Sequence, residues 1–129
     1  MQGALAIYFT TIMVSEVGID IVDTKRFSNY SDRSDSHLSK WFTVDELDYC
    51  FRRNPPQDGL AGKFAAKEAV IKILSNKGIN IANLKEIEIL NDSNGKPFVN
   101  SSLLERYKDR IKISISHDGG FAVAVALLK

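Results

Sequence analysis

One cysteine, Cys50, and two histidines, His37 and His117, stand in the 129 residues, which excludes an internal disulfide framework and leaves too few ligands for a Cys/His zinc site. Proline is scarce at three and glycine moderate at eight, so collagen-like and low-complexity chains are excluded as well. Neither sign of charge prevails: 17 Lys plus Arg meet 16 Asp plus Glu, a formal +1. Without a basic surplus there is no call for a nucleic-acid or membrane partner, and any anion has to be held by a local cluster. No Lys or Arg precedes Lys25, and the apolar stretch Ala4 to Val14 is broken by Thr10 and Thr11. It lacks the basic start of a signal peptide and is too short to span a bilayer. A cytoplasmic protein is therefore expected, with residues 1–12 as an extension ahead of Met13 that packs as an extra strand or apolar arm.

What is present suits one globular domain over residues 1–129. Hydrophobic residues make up 44% and charged residues 26%, and a chain of this length buries roughly 65–70% of its unfolded surface without staples. Val17, Ile19 and Ile21 alternate with Gly18, Asp20 and Val22, the period of a strand with one acid on its second face. Thr43 and Glu46 have capping-box spacing and open a short helix that stops before Pro55-Pro56, its end carrying Arg52 and Arg53. Asp58 is positioned to cap a second helix over about 60–75. Ile87 and Ile89 alternate with Glu86 and Glu88, Asn91 to Lys96 turns the chain, and Pro97 to Val99 returns. Ser102 and Glu105 repeat the capping-box spacing ahead of a short helix to about Asp109. Ile111, Ile113 and Ile115 then alternate with polar residues, His117 to Gly120 turns, and residues 121–128 run back with Ala122, Ala124 and Ala126 on one face. That alanine face invites close packing by a helix or a neighbouring subunit. Strands joined by hairpin-like turns predict an α+β fold with a largely antiparallel sheet.

Two acids are out of place. Phe64, Glu68 and Ile71 share one stripe of the second helix, so Glu68 lies along an apolar face. A salt bridge to Lys72, four residues on, is the plain explanation. Asp20, in an otherwise apolar strand, has no such local partner. Both are explained together if they hold one hard cation through oxygen ligands, and magnesium commonly takes only one or two protein carboxylates beside phosphate oxygens. Lys63, Lys67, Lys72, Arg52, Arg53 and Lys96 would then neutralise phosphates, although each alone also reads as a solvated surface charge. Spacing by itself does not identify the phosphate compound.

At these residues the chain resembles the holo-acyl-carrier-protein synthases, the small class of phosphopantetheinyl transferases. Gly18-Ile19-Asp20-Ile21-Val22 followed by Arg26 is similar to that family's first strand, and Phe64-Ala65-Ala66-Lys67-Glu68-Ala69 with Lys72 to its helix motif. Asn94-Gly95-Lys96-Pro97 and Ile113-Ser114-Ile115-Ser116-His117 follow in the family's order. The resemblance implies a sheet packed on one long central helix with short helices beside it. It also implies transfer of 4′-phosphopantetheine from coenzyme A to a serine of an apo acyl carrier protein, releasing adenosine 3′,5′-bisphosphate, with magnesium as cofactor. By motif, Asp20 and Glu68 would hold the metal, and Lys67 and Lys72 the phosphate under attack. Lys63, Asn94, Gly95, Lys96, Pro97, His117, Arg52 and Arg53 would border the coenzyme, and Arg26 would face the acidic carrier. A homotrimer with active sites between subunits is implied too, the alanine face offering the close approach. The chain departs from the family at Ser75-Asn76-Lys77-Gly78, where Gly-Thr-Gly is frequent, and at Lys63, where Arg is frequent; Lys keeps the charge but not the bidentate fork. The competing readings are a non-catalytic module that binds coenzyme A or a nucleotide, and an oligomeric scaffold. Neither has a use for acids on apolar stripes.

Overall fold

The computed structural model describes residues 13–129, apart from the Leu103 side chain, and the expected arm over residues 1–12 lies outside them. The elements in chain order are β1 (Glu16–Asp23), a 3-10 turn at Thr24–Phe27, the single-turn helix α1 (Leu38–Trp41), α2 (Val44–Cys50) and α3 (Gln57–Asn76). After a 3-10 turn at Leu84–Glu86 come β2 (Glu88–Asn91) and β3 (Pro97–Asn100). Two more 3-10 turns, Ser102–Leu104 and Lys108–Arg110, lead into β4 (Ile111–Asp118) and β5 (Phe121–Leu128). Every strand pairing among the described residues is antiparallel: β5 lies between β1 and β4 in one sheet, and β2 with β3 forms a second. The α+β, antiparallel expectation is met, with two small sheets in place of one.

The 20-residue α3, about 30 Å long at 1.5 Å per residue, fills the inner face of the three-stranded sheet. Small residues make this possible. Ala122, Ala124 and Ala126 of β5 are fully buried beside Ala65, Ala66 and Ala69 of the helix. At Gly18 the approach is closer still, since a Cβ there would lie 2.0 Å from the Ala69 carbonyl oxygen. The alanine face therefore serves the helix and is not available to a second subunit, which corrects the assembly argument made from it. The large apolar residues on the other face are the exposed ones: Val17 is 57%, Ile19 56% and Ile21 61% exposed.

Two local expectations also change. Asp58 falls inside the first turn of α3, with Pro56 in the capping position; proline fits a helix start because its missing N–H has no partner there. The short helix expected from Ser102 is a pair of 3-10 turns, because the Ser101 hydroxyl donates to the Glu86 carbonyl and ties this stretch to the lead into β2. The Thr43–Glu46 capping box of α2 is present in both directions.

Candidate active site

Strand β1 crosses α3 with Gly18 on Ala69, so Asp20, two residues along, faces the helix. Its carboxylate oxygen is 3.3 Å from the Lys72 ammonium, which also donates to the Ile19 carbonyl at 2.5 Å. The local Glu68–Lys72 bridge is not formed: the lysine reaches the strand instead, and among the described residues no cation pairs with the half-buried Glu68. The structure thus brings Asp20 and Lys72 together one helical turn from Glu68. Arg26, on the turn leaving β1, stacks its guanidinium 4.5 Å from the centre of the Phe64 ring, one turn before Glu68 on the same stripe. It makes no ion pair among the described residues. Nor, among those residues, do three or more His, Cys, Asp or Glu side chains converge, so a metal here would rest on the carboxylate pair and on oxygens from outside the chain.

Toward the other end of α3 a cavity of about 460 Å³ opens. Arg52 and Arg53 from the end of α2, Lys63 from α3, Gly95 and Pro97 from the hairpin, and His117 from β4 line it, all expected from the sequence. The wall also holds residues that the sequence reading left out: Tyr49, Asp58, Gly59, Gly62, Asn91 and Ile115. A signal for two of these was present, because Gly59 and Gly62 sit inside a helix, where glycine costs about 1 kcal/mol relative to alanine. Lys63 is 3% exposed. Its ammonium donates to the Ile89 carbonyl and to Asn91 Oδ1, and it lies 4.6 Å from the Tyr49 ring centre. Burial pushes its pKa down, with the Cys50 and Glu46 sites opposing. Burial pushes the Cys50 thiol up to about 12, so Cys50 is a core residue, not a nucleophile.

Three expected site residues are placed elsewhere. Lys67 is fully buried, and its ammonium donates to Glu46 Oε1 at 2.7 Å and to the Leu84 and Ile87 carbonyls at 3.0 and 2.9 Å. With all three protons used inside the protein it cannot hold a phosphate; it is a structural ion pair. Burial lowers its pKa, opposed chiefly by Glu46. Lys96 lines a different cavity, with Asp92, Phe98 and Lys112, and Asn94 borders neither of the two. In this turn Asp92 Oδ1 accepts from the backbone N–H groups of Asn94 and Lys96, while Gly95 takes φ 82°. The Asn-Gly-Lys stretch is thus shaped for the turn, and only Gly95 of the three reaches the cationic cavity.

Comparison with known proteins follows this geometry. Residues 16–126 match the 4′-phosphopantetheinyl transferase superfamily. The holo-[acyl-carrier-protein] synthase of Chlorobium luteolum is 42% identical over 113 residues, covering 85% of this chain and 95% of that protein. Among solved structures, the Chronobacterium ammoniagenes ACPS–CoA complex is similar with a TM-score of 0.72 and 32% identity, over 88% of this chain and 95% of that one. The holo-[acyl-carrier-protein] synthase of Helicobacter pylori in complex with coenzyme A gives 0.72 and 29% identity, over 88% and 100%.

Proposed function

The chain belongs to the 4′-phosphopantetheinyl transferase superfamily, and we propose that it moves the 4′-phosphopantetheine of coenzyme A onto a serine of an apo acyl carrier protein through the β1–α3 crossing. In this reaction the serine oxygen bonds to the phosphorus bearing the pantetheine arm. The bond from that phosphorus to the bridging pyrophosphate oxygen breaks, and adenosine 3′,5′-bisphosphate leaves. The observation that carries the residue assignment is Lys72 on Asp20, with Glu68 one turn away and lacking a cation among the described residues. A buried-face acid without a counter-ion is costly in a protein with no other use for it.

Asp20 and Glu68 offer hard oxygen donors from two facing elements, which suits magnesium. When bound there, the ion would supply positive charge to the pyrophosphate. Lys72, half-exposed, with its ammonium fixed at the crossing by the Ile19 carbonyl and Asp20, stabilises the negative charge that moves onto the leaving phosphate. The serine proton passes to Glu68 or to water. The cavity of Arg52, Arg53, Lys63 and His117 takes the coenzyme's nucleotide end, where fixed cations serve orientation rather than bond making. Arg26, exposed beside this centre, meets the acidic carrier. The active unit is a homotrimer, assembled through the apolar outer face of β1 and β5.

Mass spectrometry of an apo carrier protein incubated with this protein, coenzyme A and magnesium tests the reading. The expected product carries one phosphopantetheine on serine, and chelation of magnesium stops its formation. An unmodified carrier under saturating coenzyme A would overturn the transfer; undiminished transfer after chelation would overturn the metal.

A further inference from the structure

His117 lies against the start of α3 in a way that only a missing side chain allows. Its Nε2 is 2.8 Å from the Asp58 carbonyl oxygen, and in an α-helix that carbonyl points along the axis toward residue 62. A Cβ at Gly62 would lie 3.0 Å from Nε2, 3.2 Å from Cε1 and 3.1 Å from the Ile115 side chain, tighter than packed side chains tolerate without shifting. Gly62 has no left-handed backbone to justify it: among the described residues the positive-φ glycines are Gly78, Gly95, Gly119 and Gly120. Its use is therefore the space it leaves.

That space decides the chemistry of the ring. A carbonyl oxygen only accepts, so Nε2 must carry the proton. Nδ1 takes no partner among the described residues, and His117 lines the cavity together with Arg52, Arg53, Lys63 and the flanking Asp58. We propose that Gly62 is a positioning residue: it seats the imidazole on α3, commits Nε2 to the helix, and leaves Nδ1 as the ring nitrogen that meets a phosphate of the coenzyme. The inference rests on the cavity being the coenzyme site. A phosphate oxygen accepts, so at Nδ1 it meets the ring as a second hydrogen-bond acceptor, opposite the Asp58 carbonyl.

The test combines Gly62→Ala, His117→Ala and the double variant, with ring-nitrogen NMR and steady-state kinetics on coenzyme A. In the wild type without ligand, the neutral ring should show the proton on Nε2; a proton on Nδ1 overturns the proposal. Gly62→Ala should shift the ring signals and raise KM for coenzyme A about three- to tenfold, the size of one hydrogen bond, with kcat within about twofold. Adding Gly62→Ala to His117→Ala should change KM no further, because the group it displaces is gone. Wild-type KM in Gly62→Ala, or additive losses in the double variant, overturns it. Alanine favours a helix, and in the His117→Ala background only the Ile115 contact of a Gly62 Cβ is left, so the double variant keeps the comparison available should the single variant unfold. If the wild type transfers nothing, the functional reading fails, while the ring spectra and the thermal stabilities of the three variants still decide whether Gly62 seats His117.

Discussion

Lys67 and Lys72 lie five residues apart on one helix and do opposite work. Lys67 has given every proton to Glu46 and two carbonyls in the core, so removing it leaves the Glu46 carboxylate buried beside an empty space. Lys67→Ala should destabilise the fold by about 3–5 kcal/mol, read as a lower urea midpoint. Lys72 is half-exposed at its Asp20 contact, a setting in which an ion pair contributes at most about 1 kcal/mol. Lys72→Ala, Asp20→Ala and Glu68→Ala should leave the midpoint nearly unchanged and sharply reduce transfer in the carrier assay. Near wild-type transfer by both acid variants, with magnesium present, would remove the metal pair from the mechanism. Arg26→Glu should raise KM for the carrier, with the loss shrinking as salt rises and KM for coenzyme A unchanged. An equal loss for coenzyme A would move Arg26 into the nucleotide pocket.

Among the elements, α2 is held in place by a residue with two duties. Glu46 accepts from the Thr43 backbone N–H as the second half of the capping box, and also from Lys67 and from the Ile89 backbone N–H. One carboxylate thus joins the start of α2 to α3 and β2. Thr43→Ala removes the reciprocal cap and the hydroxyl's hydrogen bond to Glu88 and should cost about 0.5–2 kcal/mol; Glu46→Ala also orphans Lys67 and should cost clearly more in the same unfolding experiment. The β1–α3 contact is stricter. With 2.0 Å between a Gly18 Cβ and the Ala69 carbonyl oxygen, backbone would have to move, so Gly18→Ala should lower both stability and transfer by prying Asp20 from the helix. Unchanged thermal midpoint and turnover in that variant would show that the crossing yields more easily than its geometry indicates.

The whole molecule presents an apolar outer face. Val17 pairs with Leu127, Ile19 with Val125 and Ile21 with Val123 across β1 and β5, and the three β1 residues are more than half exposed. A contiguous patch of this kind on a small protein marks a contact surface. If the proposed homotrimer forms through this face, Ile19→Lys with Ile21→Lys should shift sedimentation from trimer to monomer. Activity should fall with it if sites are shared between subunits, and a fully active monomer at assay concentration would exclude sharing. Among the described residues no helix is long and apolar enough to cross a membrane.

Local rules were enough to read the strands, the capping box of α2, the long helix and both hairpins, because alternation, cap spacing and Asn-Gly or Gly-Gly turns act over a few residues. The acids at positions 20 and 68 were legible for the same reason, as charges that break an apolar period. The partner of each lysine was not legible. Lys63, Lys67 and Lys72 read alike along the chain, and only packing decided that the first joins a cavity wall, the second is sealed under Glu46 and the third crosses to β1. The inner face of the sheet was decided the same way. Alternation separates two faces but does not say which is covered, and here the depth of α3 against Gly18 selected the alanines of β5 for the core and left Val17, Ile19 and Ile21 of β1 outside. Those choices depend on contacts between residues tens of positions apart, where the free energy of desolvating a charge or closing a gap is set by what the fold brings there, not by the neighbours in sequence.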